Sequence, residues 1–451
     1  MNQRTTTLFL AIAAGIVSMW TGPLEAAERP NIVLLVADNL GYGDTGCYGN
    51  KEIKTPRLDR LATEGVRCTD FYAASPTCTV SRAAFLTGRY PQRNGLTRQL
   101  GMEENRTGVG LRHSELLLPH FLRGQGYRTA CFGKWNIGFA KGSRPTERGF
   151  DEFLGHRSGN IDYYTHVYNL VHDMYKGTEP FRSKAYSTDL FADTACEFID
   201  RNAKRPFFLY VPFNSPHYPN PGSKKPGVRC EWQAPDAAFK LYGYSPDTQD
   251  EKQRYQAVVS ALDTAIGRVL DRLDSAGLRE KTLLIFYSDN GAFMRKGCGL
   301  GCASNAPLRT EALKLYDGNI RVPCMVRWPG RIEPGTTCRE PLITMDMFAM
   351  ALAAAGAPLP KDRTIDGRDP TATLTGKAPS PHEALFFRFY GRPRAVRAGN
   401  YKLLKTSKKQ PWQLFDVVAD IGETTDLAAK KPELVAKMSK QFDNWLAEVE
   451  K

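Results

Sequence analysis

The sequence has no dense run of lysine and arginine and no nucleic-acid-binding motif, although it is basic overall. Its 61 lysine and arginine residues outnumber its 48 aspartate and glutamate residues, which gives a formal net charge of +13 at pH 7. Because nucleic-acid binders concentrate such charge in a recognisable motif or patch, nucleic acid is not expected as a partner. The net positive charge favours an anionic partner of another kind. The alternative interpretation is a basic surface without a specific role.

Apolar runs long enough to be considered as a membrane span are also scarce. The one candidate for such a span lies at the N-terminus. Residues 1–27 resemble a signal peptide, with Arg4, an apolar stretch from Leu8 to Val17, and the small residues Ala26 and Ala27. This stretch is short for a membrane span, and no later segment is a better candidate. We therefore expect a periplasmic or secreted protein with no integral membrane segment after signal cleavage.

The cysteines do not indicate a zinc site. Cys298 and Cys302 lie close together, but no second pair and no nearby histidine completes a tetrahedral set. In an oxidising compartment this pair can close a local disulfide, and the sequence leaves the connectivity of the ten cysteines open.

One of these cysteines, Cys78, is predicted to lie at the N-terminus of a helix. Pro76 favours an extended chain before it, and Gly88 suits the left-handed stop after it. A helix N-terminus favours a thiolate or a bound anion, and Arg82 adds positive charge one turn along. This arrangement suggests nucleophilic chemistry on a sulfate or phosphate ester, whereas the alternative is an unreactive cysteine in a buried helix.

Two apolar runs end in paired oxygen ligands. Asp38 and Asn39 follow the run from Asn31 to Ala37, and Asp289 and Asn290 follow a second run that begins at Thr282. Continuous apolar runs are typical of central parallel strands, whose carboxyl ends carry the sites of open α/β sheets. Carboxylate and amide oxygens are suitable ligands for a hard divalent cation, while each pair alone is equally compatible with a turn.

The stretch from Ser75 to Arg89 resembles the signature of the type I sulfatases, which is Cys-x-Pro-x-Arg followed by Leu-Thr-Gly-Arg. Further segments match that family in order along the chain. These segments include Asp38–Asn39, Gly133-Lys134-Trp135-Asn136-Ile137-Gly138, Phe213 to His217, Ser288 to Gly291, and Pro307 to Pro323.

The resemblance implies that Cys78 is oxidised to formylglycine by a formylglycine-generating enzyme. It also implies that Asp38, Asn39, Asp289 and Asn290 hold Ca²⁺. Arg82, Lys134 and His217 would then neutralise the sulfate oxygens. Lys314 is expected to help if its segment is extended, because every second residue of a strand lies on the same face. The implied substrate is a sulfated carbohydrate or an aryl sulfate.

The resemblance and the strand pattern together predict an α/β fold. We expect a large, mixed but mostly parallel sheet flanked by helices on both faces, and a small C-terminal antiparallel sheet domain. The predicted boundaries are a signal peptide at 1–27, a catalytic domain at 28–370 and a C-terminal subdomain at 371–451. A long helix is also predicted from Leu111 to Gly126, and a single strand from Ala395 to Leu404.

Four positions differ from the family pattern. Val80 stands where the family has proline, Asn39 where it has aspartate, Asn136 where it has histidine, and Ala312 where it has lysine. Two alternatives to an active sulfatase therefore stay open. One is a catalytically impaired module of this fold that binds sulfated glycans, and the other is a phosphoester or phosphonate hydrolase.

Overall fold

The structure is a computed structural model that describes residues 29–101, 108–219, 232–293, 301–311, 313–390 and 393–450. The predicted signal peptide, Cys298 and Ala312 lie outside these ranges. Within the described ranges, none of the helices is both long enough and apolar enough to cross a bilayer.

The strands, in chain order, are β1 Asn31–Ala37, β2 Val66–Cys68, β3 Phe71–Tyr72, β4 Arg128–Lys134, β5 Glu152–His156, β6 Val167–Tyr168, β7 Val171–His172, β8 Tyr175–Lys176, β9 Glu179–Pro180, β10 Phe207–Pro212, β11 Thr282–Ser288, β12 Cys324–Arg327, β13 Thr336–Cys338, β14 Leu342–Ile343, β15 Leu385–Arg388, β16 Arg394–Ala398, β17 Tyr401–Lys405 and β18 Gln413–Asp416. The α-helices are α1 Pro56–Glu64, α2 Cys78–Thr87, α3 Pro91–Asn94, α4 Leu118–Gly124, α5 Ser187–Asn202, α6 Asp236–Lys240, α7 Glu251–Ser275, α8 Asp317–Ile320, α9 Asp346–Ala354, α10 Thr371–Leu374 and α11 Pro432–Val449.

Ten of the described strands form one sheet in the order β13-β2-β12-β11-β1-β10-β4-β5-β8-β9. Its centre, from β11 to β5, is parallel throughout, and the pairs that flank this centre, β11 with β12 and β5 with β8, are antiparallel. Parallel strands of this kind must be covered on both faces, which explains why β1 is apolar at nearly every position. The carboxyl ends of the central strands therefore meet at one edge.

Alternate side chains of β1 enter two different cores. Val33 and Leu35 pack with residues of α5 and α7 on one face, while Ile32 and Leu34 pack with residues of α2 and α9 on the other. The period of two residues in a strand accounts for this division. Helices thus cover both faces of the sheet.

A second, antiparallel sheet of four strands, in the order β15-β16-β17-β18, lies near the C-terminus. Its apolar face packs on α11 through residues such as Phe442 and Trp445, and it shares a core with Tyr72 and Ile343 of the larger part. The two sheets confirm the predicted fold class.

Two predicted elements have different bounds in the structure. The predicted helix from Leu111 begins only at Leu118, where Pro119 occupies the first turn. Pro119 fits a first turn but would break the interior of a longer helix. The predicted strand from Ala395 to Leu404 is a hairpin of β16 and β17, because Gly399 adopts a left-handed φ of 54° and turns the chain.

Candidate active site

Three elements bring the predicted site residues together at the carboxyl edge of the large sheet. Asp38 follows β1, and Asp289 follows the neighbouring strand β11. Cys78 is the first residue of α2, which packs against the same sheet. One ligand atom from each of these three buried residues lies within 4.8 Å of the other two.

The local chain conformation places Cys78 at the start of its helix. Thr77 is extended, with φ −138° and ψ 142°, and Gly88 ends the helix with a left-handed φ of 67°. Both features agree with the predicted helix. The Cys78 Sγ atom lies 3.3 Å from Asn136 Nδ2 and 3.3 Å from Gln99 Nε2.

The thiol of Cys78 is not activated in this environment. Burial raises its pKa above the ordinary value of a cysteine, although the charge of Lys134 opposes this effect. Burial thus opposes the formation of a thiolate at this helix N-terminus. An unmodified Cys78 would be a weak nucleophile here.

The oxygen atoms beside Cys78 fit a hard divalent cation. Asp38 Oδ1 and Asn290 Oδ1 are buried and have no hydrogen-bond partner, and such orphaned acceptors are costly unless something binds them. Asn39 Oδ1 accepts a hydrogen bond from Asn290 Nδ2, so the two amides are adjacent. Burial raises the pKa of Asp289, and the nearby Asp38 carboxylate adds to that rise. A calcium ion would relieve this repulsion and satisfy the orphaned oxygens.

The two predicted cations are already paired with the carboxylates. Arg82 Nε donates to Asp289 Oδ2 at 2.8 Å, and Arg82 Nη2 forms an ion pair with the same oxygen at 2.7 Å. Lys134 Nζ lies 2.5 Å from Asp38 Oδ2. Burial alone would lower the pKa of Lys134, but Asp38 together with Cys78 and Asp289 raises that pKa above its ordinary value. Both cations therefore hold the predicted calcium ligands in place.

His217 lines the same pocket as Cys78. Its Nδ1 lies 2.7 Å from the carbonyl oxygen of Tyr218, so Nδ1–H donates to that oxygen and Nε2 carries the free lone pair. Burial, together with the charge of Lys134, lowers the pKa of His217 to about 3. The imidazole is therefore neutral at physiological pH and can accept a proton at Nε2.

The structure does not bring Lys314 into this group of residues. Its segment is a turn in which Leu313 has a left-handed φ of 55°, so the extended conformation on which the prediction rested is absent. Leu313 lines the pocket, whereas Lys314 is not among the lining residues. The role of Lys314 stays a prediction.

Residues from several loops complete a pocket of about 590 Å³. Sequence reasoning missed most of its wall, namely Gln99, Leu100, Asn160, Tyr168, Tyr218, Phe293, Leu313, Phe389 and Tyr390. Most of these residues lie in loops, and Tyr168 lies in the two-residue strand β6, so no sequence pattern assigned them to the pocket. A buried residue was missed as well: His156 ends β5 beside Lys134, and neither of its ring nitrogens has a hydrogen-bond partner.

Comparison with known proteins identifies the family. A family model described as Sulfatase matches residues 30–357, which is more than half of the 451 residues. The chain belongs to the sulfatase family. A second model, described as N-sulphoglucosamine sulphohydrolase, C-terminal, matches residues 312–451 of this sulfatase.

Individual relatives are similar along most of the sulfatase chain. Steryl-sulfatase of Mus musculus is 33% identical over 493 residues, which cover 88% of this chain and 74% of the relative. Arylsulfatase A of Homo sapiens is 33% identical over 470 residues, covering 96% of this chain and 84% of the relative. The solved structure of Ps i-CgsB matches with a TM-score of 0.83 at 29% identity and covers 93% of each chain. A second structure shows Ps i-CgsB in complex with k-i-k-neocarrahexaose.

These matches confirm the prediction of an enzyme that hydrolyses sulfuric esters. Members of the sulfatase family generally use Ca²⁺ and formylglycine, in keeping with the acidic site beside Cys78.

Proposed function

We propose that this sulfatase is exported and removes sulfate from a sulfated carbohydrate or an aryl sulfate, through a formylglycine made from Cys78 and a bound Ca²⁺. The observation that carries the proposal is the convergence of Asp38, Asp289 and Cys78, whose ligand atoms lie within 4.8 Å of one another. The two carboxylates beside the nucleophile would repel an anionic ester unless cations were present. Arg82 and Lys134 supply two of them at this point.

The proposed calcium ligands are Asp38, Asn39, Asp289 and Asn290. A calcium ion bound there would draw electron density from the sulfate oxygens and offset the charge that develops during hydrolysis. A formylglycine at position 78 would supply the nucleophilic oxygen for hydrolysis of the ester.

The other residues orient these groups and handle protons. Arg82 holds Asp289, and Lys134 holds Asp38, so each cation fixes one carboxylate and offsets its charge. Asn136 Nδ2 and Gln99 Nε2 touch the side chain at position 78 and restrict its rotamer. His217 would accept a proton at Nε2 and return it to the leaving oxygen.

The test combines the modification state with turnover. The protein is produced beside a formylglycine-generating enzyme, the peptide spanning Cys78 is analysed by mass spectrometry, and hydrolysis of 4-nitrophenyl sulfate and 4-nitrophenyl phosphate is measured. We expect conversion of Cys78 and preferential turnover of the sulfate, with no turnover in Cys78→Ala. An unmodified thiol in protein from the native host would favour the glycan-binding module. Faster turnover of the phosphate would favour the phosphoester hydrolase.

Calcium binding is tested by thermal unfolding with and without a chelator. A ligand that binds only the folded state stabilises it by mass action, so added Ca²⁺ is expected to raise the Tm of chelator-treated protein. An unchanged Tm would contradict the metal site.

A further inference from the structure

One wall of the pocket is apolar and is contributed partly by the C-terminal sheet. Leu313 precedes α8, and Phe389 and Tyr390 directly follow β15. All three line the pocket that contains Cys78. The rings of Phe389 and Tyr390 meet edge to face, with centroids 4.4 Å apart, so Phe389 supports Tyr390 from behind. We name these three residues the apolar wall.

Two residues of the apolar wall are large side chains left in contact with solvent. Tyr390 is 49% exposed and Leu313 is 45% exposed, although apolar side chains of this size are usually buried. Each also adopts a left-handed backbone, with φ 46° at Tyr390 and 55° at Leu313. Such a backbone is unfavourable for large side chains and persists mainly where function requires the placement.

The pocket above the nucleophile carries no formal charge among the residues that the structure describes. Its polar lining consists of amide, hydroxyl and imidazole groups, and His217 is neutral. The cations Arg82 and Lys134 lie below it, buried against Asp289 and Asp38. The wall therefore offers no described partner to a second anionic group on the substrate.

The apolar wall is linked to the reacting atom through one residue. The Gln99 backbone N–H donates to Tyr390 Oη at 3.2 Å, and the Gln99 side chain touches Cys78 Sγ. Gln99 therefore connects the apolar wall to the side chain at position 78.

We propose that Leu313, Phe389 and Tyr390 form a ring-binding subsite that selects sulfate esters whose ring carries no second anionic group. This subsite rests on the proposed function, because the ester must point toward Cys78. Apolar contact with the ring contributes affinity, and a carboxylate or a second sulfate would lose its hydration without gaining a counter-charge from the described lining residues.

The first experiment compares two probes that differ in one charge, 4-(methoxycarbonyl)phenyl sulfate and 4-carboxyphenyl sulfate. Binding is measured by calorimetry on Cys78→Ala, which cannot form the nucleophile, and kcat/KM is measured on the converted enzyme. We expect the neutral ester to bind at least about tenfold more tightly, the equivalent of about 1.4 kcal/mol. Equal or tighter binding of the carboxylate would overturn the proposal. Failure of the converted enzyme to hydrolyse either probe would instead count against the proposed function.

The second experiment changes the apolar wall itself. In the Cys78→Ala background, Tyr390→Ala should weaken binding of both probes by about tenfold, because stacking area is lost. Leu313→Arg should reverse the preference between them, because it places a cation in the wall. Val418→Arg is the matched control, since Val418 is 62% exposed and does not line the pocket. If Leu313→Arg and Val418→Arg change the preference between the two probes equally, the effect is one of general charge, and the proposed subsite is wrong.

Discussion

Asn39 follows Asp38 in the predicted calcium site. An aspartate at position 39 would give the site one more negative charge. The left-handed φ of 64° at Asn39 is one that asparagine and aspartate both tolerate, so the exchange introduces no backbone strain. We expect Asn39→Asp to tighten calcium binding by about tenfold or more, because calcium affinity rises with the charge of its ligands. Calorimetric titration with Ca²⁺ measures the change.

The same variant should be less stable than the parent protein when calcium is removed, because a third carboxylate would then face Asp38 and Asp289. Asn400→Asp is the control, since it makes the same exchange at an exposed turn between β16 and β17. An affinity that is unchanged in Asn39→Asp would show that Asn39 is not a ligand.

Val80 is the residue at which the modification motif differs from that of the family. It is the third residue of α2, and the first bond of that helix runs from the Ser81 N–H to the Thr77 carbonyl. Proline is tolerated in a first helical turn because the N–H that it lacks has no intrahelical partner there. We therefore expect Val80→Pro to fold normally.

We also expect Val80→Pro to raise the converted fraction of Cys78, because proline favours the extended chain that the modifying enzyme must accept. Val80 is β-branched and also favours extended conformations, so the parent protein should be converted in part. Mass spectrometry of the Cys78 peptide measures the fraction, and sulfatase activity should rise in proportion. Val80→Ala, which keeps the N–H, should show no increase, and an equal increase there would contradict the explanation.

At this scale, the sequence predicted which residues converge but not how they pair. Asp38, Asp289 and Cys78 could be placed together because strand ends and a helix N-terminus meet at one sheet edge. The ion pairs of Arg82 and Lys134 depend on side-chain packing between distant segments, which no local pattern encodes. For the same reason Tyr390 could not be assigned to the pocket.

At the scale of elements, the loop after β1 is fixed by a buried carboxylate. Asp44 accepts hydrogen bonds from Tyr255 Oη of α7 at 2.6 Å, from the Ser304 N–H at 2.8 Å and from the Gly41 N–H at 2.9 Å. Three separate segments therefore meet at this side chain. Since the loop also carries Asp38 and Asn39, Asp44 supports the geometry of the candidate metal site from behind.

The ionisation of Asp44 should make stability depend on pH. Burial raises the pKa of Asp44 to about 6, against about 4 in an unfolded chain, although its hydrogen bonds oppose the rise. Between these values the folded protein holds a proton that the unfolded chain releases. The contribution of Asp44 to the free energy of unfolding is thus fully present below pH ~4 and is lost as the pH rises through about 6.

We expect this loss to amount to about 2–3 kcal/mol, and Asp44→Asn should not show it. Urea unfolding at pH 4, 5, 6 and 7 gives the free energy of unfolding of the parent protein and of Asp44→Asn. The difference between the two proteins at each pH cancels the contribution of the ionisable groups that they share. Parallel stability profiles would show that Asp44 ionises normally.

The elements themselves were predictable to different degrees. Strands β1 and β11 are continuous apolar runs, and both begin at the residues predicted from the sequence. The short strands β2, β3, β13 and β14 were missed, because two or three residues are too few to show a period.

At the scale of the whole molecule, a buried ion cluster joins the C-terminal sheet to the segment beside the pocket. Lys402 of β17 lies 2.6 Å from Asp317 of α8 and 2.9 Å from Glu423. All three side chains are inaccessible to solvent. Arg321 of the larger part also contacts Asp317, at 3.3 Å. The predicted domain boundary at residue 370 stays a prediction, since the two sheets share this cluster and a common apolar core.

The ion cluster gives a direct test of how strongly the two sheets depend on each other. Burial alone would raise the pKa of Asp317, but Lys402 and the neighbouring arginines hold it below the ordinary value of an aspartate. Removing Lys402 would leave two carboxylates buried in its place, and breaking a buried pair in this way typically costs about 3–5 kcal/mol. We therefore expect Lys402→Met to lower the free energy of unfolding by that amount.

Urea unfolding, followed by circular dichroism for the whole chain and, for the C-terminal part, by the fluorescence of Trp412 and Trp445 in proteins whose other tryptophans are replaced by phenylalanine, measures this loss. If the sheets unfold as one unit, both signals should shift together to lower urea concentration. Lys409→Met is the control, because Lys409 is exposed and its substitution should change stability by less than about 0.5 kcal/mol. A shift in the tryptophan signal alone would mean that the C-terminal sheet unfolds independently. Tyr390 would then be carried into the pocket by an element that can detach from it, and substrate binding should fall before the large sheet unfolds.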